Sequence, residues 1–201
     1  MLFLIAGLGN PGEEYRDMRH NVGFRAADRL AARCGLRWGA RRFRAELARG
    51  RIAGHEVCLL KPQTYMNLSG LSLAAAIGSL EVPPERVLVL HDEIDLTLGR
   101  IQIRRGGGDG GHRGVRSIAE QLGSSEFCRI RMGVGRPSGA REAADFVLDS
   151  FEPGELDAAA GLVERAAEAA CCTVTEGLIA AMNRFNPWRP GERSGGGFTT
   201  P

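Results

Sequence analysis

The chain has 201 residues, of which 43% are hydrophobic and 25% are charged, and its formal net charge is +2. These values are typical of one soluble globular domain with a substantial core. No apolar run approaches the ~20 residues needed to span a bilayer. The start, MLFLIAGLGNPG, lacks the basic segment of a signal peptide, and its apolar run is too short for one. We therefore expect a cytoplasmic protein that does not enter a membrane.

The first half of the chain alternates between strand and helix patterns. A short apolar run at 2–6 predicts a buried strand, and the apolar spacing along 21–35 predicts an amphipathic helix that stops at a glycine. Period-two alternation over 42–62, on either side of a glycine, predicts a hairpin. A small-residue helix is expected over about 68–80. The apolar segment 86–93, which turns polar at its end, is the clearest strand.

The second half continues this alternation. The period-two segment 99–105 runs into the glycine-rich stretch RRGGGDGGHRGV, and a short amphipathic helix follows at 115–123. A further strand is expected at 127–135, and the alanine-rich sequence over 153–185 predicts one or two helices that begin near a proline. The last residues, 187–201, predict a disordered tail.

Strands that alternate with helices indicate an α/β fold. We expect a single domain over residues 1–186, with a twisted mixed β-sheet flanked by helices. In such sheets, functional residues gather at the carboxyl ends of strands. Three places satisfy that rule: the loop after the first strand, the His91-Asp92 pair, and the glycine-rich loop after Arg105.

Two glycine stretches, Gly7–Gly12 and Gly106–Gly111, match the dinucleotide-binding pattern G-x-G-x-x-G. Neither is followed by the acidic residue expected ~20 positions further on, at the end of a second strand. The first is also separated from its helix by Pro11 and a polar run, whereas a pyrophosphate needs the helix N-terminus beside the last glycine. We therefore reject a dinucleotide and expect no cofactor.

The cysteines and the catalytic motifs argue against metal and serine chemistry. Five cysteines are scattered along the chain without a C-x-x-C pair, which favours buried free thiols over disulfides or structural zinc. The chain also lacks G-x-S-x-G, H-E-x-x-H, and H-x-E followed by P-C-x-x-C. Covalent serine catalysis and zinc hydrolysis are thus without their usual motifs, and no metal site is expected.

A general-base set remains at the predicted strand ends. His20 and His112 can accept a proton near pH 7, because the unperturbed pKa of histidine is ~6.5. Asp92 can orient such a histidine, and the amides of Asn10 and Asn67 can hold a carbonyl oxygen or a water without adding charge. This set suits hydrolysis of an activated ester, with water as the nucleophile.

Each of these residues also has a structural interpretation. His20 can be a helix-start residue bonded to backbone, and Asn67 can be the N-cap of the helix at 68–80. Asp92 can cap a turn, with Asp95 as the competing carboxylate. From residue chemistry alone, a general-base hydrolase and an unspecified α/β binding domain both stay open.

Charge is distributed unevenly along the chain. Residues 1–55 carry 11 basic and 5 acidic groups, and residues 100–141 carry 9 and 3, whereas the other segments are acidic. Folding could gather the two basic segments on one face, which would favour an anionic partner. A mixed surface without such a face is the equal alternative.

Six segments in register resemble the bacterial-type peptidyl-tRNA hydrolases: GLGNPGEEYRDMRHNVG, KPQTYMNLSG, HDEIDL, GGGDGGHRGVRSI, FCRIRMGVGRP and EGLIAAMNRFN. The resemblance runs from residue 1 to about 186. It implies a monomeric, metal-free α/β enzyme without a cofactor. Such an enzyme cleaves the ester between a peptide and the 3′-terminal ribose of tRNA, in peptidyl-tRNA that has left the ribosome.

The resemblance also implies roles for individual residues. It makes His20 the general base, Asp92 the carboxylate that orients it, and Asn10 the residue that tells a blocked α-amine from a free one. Arg104 and Arg131 match basic positions near tRNA phosphate, which would position the substrate without reading its sequence. Further positions in the substrate cleft are Tyr15, Tyr65, Met66, Asn67 and His112. The glycine-rich loop is expected to form a wall of this cleft.

One position departs from the family pattern. Arg113 stands where an asparagine is usual, and arginine offers donors but no acceptor. Arg113 therefore either substitutes in substrate binding or reduces activity. Because His20, Asp92, Asn10 and Asn67 are all present, we expect an active enzyme. The alternative is a non-catalytic relative that binds tRNA without turnover.

Overall fold

The computed structural model describes residues 2–137 and 142–187. Over these residues the chain forms one mixed β-sheet with helices on both faces, which confirms the predicted α/β fold. The predicted tail, residues 187–201, lies outside the described residues except for Pro187. Within the described part, no helix combines the length and apolar character needed to cross a membrane.

Strands and helices are numbered in chain order. The strands are β1 Leu2–Gly7, β2 Trp38–Arg42, β3 Ala45–Ile52, β4 His55–Pro62, β5 Val87–Glu93, β6 Ile101–Arg105 and β7 Cys128–Gly133. The α-helices are α1 Val22–Arg33, α2 Ser69–Leu80, α3 Arg113–Leu122, α4 Ala143–Phe146, α5 Leu156–Thr175 and α6 Leu178–Phe185. Single-turn helices at Glu13–Tyr15, Arg19–Asn21 and Met66–Leu68 lie near the site described below.

The described residues form a seven-stranded sheet in the order β2-β3-β4-β1-β5-β7-β6. The central strands β4, β1, β5 and β7 are parallel, and antiparallel strands complete both edges. The parallel strands are mostly buried because both of their faces are covered, and β1 and the first four residues of β5 are continuously apolar. Helices α1, α5 and α6 cover one face and α2 and α3 the other, each group over its own buried cluster.

The helices and strands predicted from the sequence are confirmed to within about two residues at most of their ends. Edge strand β2 is not evident in the sequence, because only the first of its five residues is even partly buried. Helix α4 is missed because four residues are too few to show a period. The alanine-rich segment forms two helices, separated at Gly177, which adopts a φ of 90°.

The glycine-rich loop does not start where the strand-end rule placed it. Because β6 runs antiparallel to β7, Arg105 lies opposite Cys128, at the amino end of the parallel strands. The loop then runs back along the sheet to His112, whose ring reaches Asp92 near the carboxyl end of β5. The glycine-rich loop therefore reaches the loop after β1 and the His91-Asp92 pair because it is long, and not because β6 ends beside them.

Candidate active site

Asp92 is the centre of a buried hydrogen-bonded cluster near the carboxyl end of β5. Its Oδ1 lies 2.8 Å from Nδ1 of His20 and 2.9 Å from Nε2 of His112. The side chain of Asp92 is 3% exposed, so both rings meet the carboxylate away from solvent. The competing carboxylate, Asp95, is exposed and pairs with Arg136 instead.

The two histidines differ in how they use their second ring nitrogen. Nδ1 of His112 accepts hydrogen bonds from the backbone N–H groups of Gly114 (3.1 Å) and Val115 (3.2 Å), as the N-cap of α3. An accepting Nδ1 places the ring proton on Nε2, which donates it to Asp92. His112 is therefore fixed in one neutral tautomer, since a second proton on Nδ1 would break both capping bonds.

His20 carries its proton on Nδ1 and leaves Nε2 free. Its Nδ1–H donates to Asp92, so the unprotonated Nε2 is the ring atom available as a base in the cleft. Burial lowers the pKa of His20, but the Asp92 carboxylate raises it more, and the pKa lies above its ordinary value. The positive charge of Arg113 opposes that rise. His20 thus has the free nitrogen and the basicity of a general base.

Asp92 is the ionised partner of these rings. Burial alone would raise the pKa of its carboxyl group, yet the electrostatic interaction with the adjacent His20 and His112 rings and the N–H donors of both hold it well below the usual range. Next to it, burial lowers the pKa of His91 well below the ordinary value. The Nδ1–H of His91 donates to the backbone carbonyl of Asp92 at 2.7 Å. His91 is therefore a neutral structural residue.

Close packing between helix and strands places His20 beside Asp92. The single turn that carries His20 leads directly into α1, which lies against β1 and β5. Gly7 and Gly23 permit this approach, because a Cβ on Gly7 would lie 2.3 Å from the carbonyl oxygen of Gly23. A Cβ on Gly23 would lie 2.4 Å from the carbonyl oxygen of Leu90. Any larger residue at either position would push His20 away from the carboxylate.

A buried arginine holds His20 from the other side. The guanidinium of Arg19 bonds the carboxylate of Glu155 at 2.5 Å and lies 4.6 Å from the ring centroid of Phe151. The backbone N–H of His20 donates to the carbonyl of Val147 at 2.8 Å. The segment that contains these partners is thus packed against the catalytic turn. Its short, irregular sequence pattern gave no sign of that role.

Asn10 is oriented by two neighbours. Its Oδ1 accepts the backbone N–H of Met66 at 2.8 Å, and the side chain of Asn21 bonds the backbone N–H and carbonyl of Asn10. With Oδ1 occupied, the Nδ2 group is the polar end of Asn10 that can donate into the cleft. An uncharged donor in this position suits a carbonyl oxygen.

These groups line one cleft of about 550 Å³, a volume that suits a small ligand or the end of a larger one. Nine of the eleven predicted site residues lie along it: Asn10, Tyr15, His20, Tyr65, Met66, Asn67, Asp92, His112 and Arg113. The rings of Tyr15 and Tyr65 meet edge to face, with 6.5 Å between their centroids. Asn67 does not cap α2, whose N-cap position is Leu68.

Known proteins resemble this chain in sequence and in fold. The family model for peptidyl-tRNA hydrolase matches residues 4–193. The chain belongs to the peptidyl-tRNA hydrolase family. It is 48% identical to the peptidyl-tRNA hydrolase of Chloroflexus aurantiacus, over 92% of this chain and 100% of that one. The peptidyl-tRNA hydrolase of Mycobacterium marinum is 46% identical, over 92% and 97%. The crystal structure of peptidyl-tRNA hydrolase from Acinetobacter baumannii superposes with a TM-score of 0.88, at 37% identity over 94% and 96%.

Arg113 gives this member of the peptidyl-tRNA hydrolase family a cationic cleft wall. It is the first residue of α3, it is exposed, and it lines the cleft. Among the described residues its guanidinium forms no ion pair, whereas Arg116, almost one turn further on, is held by Asp109. Arg113 is therefore available to a carbonyl or phosphate oxygen of a substrate.

The two other predicted basic residues do not line the cleft. Arg104 lies on edge strand β6, opposite Arg129 of β7. Arg131 donates to the carboxylate of Glu93 at 2.8 Å and also bonds Gln102. Contact with phosphate thus stays a prediction for Arg104, and Arg131 would first have to leave its carboxylate partner.

A residue that the sequence did not single out supports the glycine-rich loop. Arg129 is 2% exposed, and its guanidinium donates to the backbone carbonyls of Gly107 and Gly108. A charged residue inside the apolar strand pattern FCRIRMG was the available signal. Val147 and Leu148 also line the cleft, and the sequence did not single them out.

The cluster around Asp92 fits proton transfer better than metal or nucleotide binding. Ligand atoms of His20, Asp92 and His112 lie within 4.8 Å of one another, as in a metal site. Both ring nitrogens that face Asp92 carry protons, however, and a metal would have to displace them. The N–H groups of Gly114 and Val115, which a pyrophosphate would need, are already bonded to His112.

Proposed function

We propose that this chain hydrolyses the ester bond between peptide and tRNA in ribosome-free peptidyl-tRNA, with His20 as the general base. The observation that carries this proposal is the His20–Asp92 pair, which leaves one basic nitrogen free in a cleft. Membership of the family supports the substrate class. A non-catalytic RNA-binding relative is not favoured, because the pair is complete and its cleft is open.

The reaction needs one proton transfer in each direction. Nε2 of His20 takes a proton from a water as that water attacks the ester carbonyl, and the Asp92 carboxylate stabilises the imidazolium that forms. Nδ2 of Asn10 is placed to donate to an oxygen of the substrate. The imidazolium then returns the proton to the departing 3′ oxygen of the ribose. An ester has a good enough leaving group for one oriented base and an amide donor to suffice.

Asn10 also explains a preference for a blocked α-amine. Its Nδ2–H groups can donate to the carbonyl oxygen of a peptide or acetyl group, whereas the ammonium group of a free aminoacyl ester offers only donors. Tyr15 and Tyr65 provide aromatic faces on which the terminal bases of tRNA can stack. Met66, Asn67, His112 and Arg113 complete the cleft around the same end of the substrate.

We also propose that the enzyme acts as a monomer in the cytoplasm without a metal ion. The proposed chemistry uses only side chains of one chain, and its base is a histidine that is already paired with a carboxylate. Light scattering should give the mass of one chain, and a chelator should leave the rate unchanged. A dimer mass, or loss of activity on chelation that zinc restores, would contradict this part of the proposal.

The test compares two labelled substrates, N-acetyl-aminoacyl-tRNA and free aminoacyl-tRNA. Wild type should cleave the first and spare the second, and His20→Ala should cleave the first about 10³-fold more slowly. His55→Ala is the matched control, because His55 is an exposed histidine on β4, outside the cleft. Binding of the blocked substrate without cleavage by wild type would favour a non-catalytic relative, and Arg113→Asn would then show whether that residue silences the site.

A further inference from the structure

The turn between β2 and β3 has an unusual backbone. Arg42 pairs with Ala45, so Phe43 and Arg44 form a two-residue turn, with φ angles of 56° and 52°. Turns of this kind favour Asn-Gly, because bulky residues seldom adopt a positive φ. The turn between β3 and β4 follows that preference and has Gly54 at its second position. Local backbone preference therefore does not account for the residues in the first turn.

This turn is held beside the substrate cleft. The backbone carbonyl of Arg44 accepts hydrogen bonds from the N–H of Gln63 at 2.7 Å and from the hydroxyl of Ser72 at 3.1 Å. Gln63 comes two residues before Tyr65, which lines the cleft. The ring of Phe43 packs against the buried cluster under α2 and α3. The turn therefore has a fixed position relative to the cleft.

The turn also carries two unpaired cations. Arg42 and Arg44 are exposed, and neither forms an ion pair with any of the residues that the structure describes. The guanidinium of Arg42 lies 4.7 Å from the ring centroid of Phe43. Arg37 and Arg113 are likewise exposed and without an ion pair among the described residues. What distinguishes Arg42 and Arg44 is that both lie on one turn of fixed position.

Strand register places the turn to one side of the cleft. Ala45 lies opposite Pro62, at the carboxyl end of β4, which is also the end of the sheet where the cleft lies. Neighbouring strands are ~4.8 Å apart, so the turn lies roughly 10–15 Å from the line of β1. Arg104 lies on the opposite edge of the sheet. A cleft of about 550 Å³ holds only the end of a tRNA, so the rest of such a substrate lies outside the cleft, where surfaces beside it can contact it.

We propose that Arg42 and Arg44, together called the hairpin tip, form a phosphate-binding surface for the body of tRNA, an inference that rests on the proposed function of the cleft. Their guanidinium groups contact backbone phosphates outside the reacting 3′ end. Such contacts position a nucleic acid without reading its sequence. The turn, anchored through its backbone and through Phe43, keeps both cations at a fixed position beside the cleft.

The first experiment measures binding of uncharged tRNA against salt concentration. In the double variant Arg42→Ser/Arg44→Ser, the slope of log K against log salt should fall by about 2, and binding should weaken by about tenfold. The control Arg49→Ser/Arg51→Ser removes the same charge from exposed positions near the other end of β3. An unchanged slope in the tip variant, or an equal fall in the control, would overturn the inference.

Steady-state kinetics then distinguish a role of the hairpin tip in tRNA binding from a role in the chemical step. With N-acetyl-aminoacyl-tRNA, the tip variant should raise KM and keep kcat. With N-acetyl-aminoacyl-adenosine, which lacks the tRNA body, both constants should stay at the wild-type values. A loss that is equal on both substrates would contradict the inference. If wild type cleaves neither substrate, the hydrolase proposal fails, and the tRNA-binding slopes still decide whether the tip binds phosphate.

A single substitution distinguishes a role of Arg44 in tRNA binding from a role in the stability of the fold. Arg44→Gly removes a cation and also relieves a positive φ, so the protein should become as stable as wild type or more stable, while tRNA binding weakens. A purely structural role for Arg44 predicts the opposite pair of results, lower stability with unchanged binding. Thermal unfolding and the same salt titration distinguish the two.

Discussion

The catalytic cleft joins two loops that reach the same carboxylate oxygen. The loop after β1 brings His20 to Asp92, and the glycine-rich loop brings His112 to it from the other side. Both residues are 9% exposed, and the distances from their ring nitrogens to Oδ1 differ by only 0.1 Å, at 2.8 and 2.9 Å. Neither burial nor distance therefore distinguishes their roles.

The second ring nitrogen makes the difference. In His112 it caps α3 and is occupied by two backbone donors, whereas in His20 it is left free. One loop thus supplies a base and the other supplies a support that keeps the carboxylate in place.

Removing the free nitrogen should have the largest effect. His20→Ala should lower kcat on N-acetyl-aminoacyl-tRNA by about 10³-fold, which is within the usual contribution of a positioned base. Binding of tRNA should change little, because tRNA binding does not need the proton transfer. A residual rate within tenfold of wild type would show that another group acts as the base.

Removing the negative charge of Asp92, which lies between the two loops, should have the next largest effect on kcat. Asp92→Asn keeps an oxygen that can accept both N–H groups, but it no longer stabilises the imidazolium of His20. We expect kcat to fall by about 10²-fold. The pKa of His20 should also fall, since the carboxylate is what raises it, so the acidic limb of the rate profile should move to lower pH. A limb that stays in place would contradict the assignment.

Changes to the supporting histidine should mainly affect stability. His112→Ala removes an N-cap and should lower the free energy of unfolding by about 1 kcal/mol. The loss of one hydrogen bond to Asp92 should lower kcat by about tenfold. His112→Asn should restore the cap and the stability, because asparagine is a good N-cap, but it should not restore the rate. A fall as large as that of His20→Ala would mean that the two histidines share the chemistry.

Substitution of Arg113 should have the smallest effect on kcat, but it should shift the pH dependence of the rate in a direction that tests the assignment of His20 as the base. The base is active when neutral, so the wild-type rate should rise with pH through a His20 pKa above its ordinary value. Arg113→Asn removes a charge that lowers this pKa, so the rise should move to higher pH, with kcat changed by no more than about fivefold. Arg116→Asn is the control, since Arg116 is paired with Asp109. A shift in the control alone would contradict this account.

Much of the fold and of the cleft could be predicted from the sequence, for physical reasons. Buried parallel strands are continuous apolar runs, and amphipathic helices have a clear period. The cleft residues Asn10, His20 and Asp92 follow strand ends, where open sheets place their sites. The resemblance then assigned roles that residue chemistry alone had left open.

The features that the sequence did not show depend on the direction of strands in the sheet and on the partners that side chains gain when the chain folds. A period-two pattern is the same in parallel and antiparallel strands, so the sequence did not show that Arg105 ends β6 at the opposite end of the sheet. The proton position on His112 depends on the N–H groups of α3, which come into reach only in the folded chain. Likewise, the sequence does not show that Arg131, which matches a basic position near tRNA phosphate, forms an ion pair with Glu93.

The central claim is that His20 and His112 hold opposite tautomers on one carboxylate. Long-range ¹H–¹⁵N NMR correlations report the tautomer of each histidine ring across a pH titration. We predict that the neutral ring of His20 carries its proton on Nδ1, that of His112 carries it on Nε2, and His20 gains a second proton on Nε2 as pH falls. If the neutral ring of His20 carries its proton on Nε2, the account of the base is wrong.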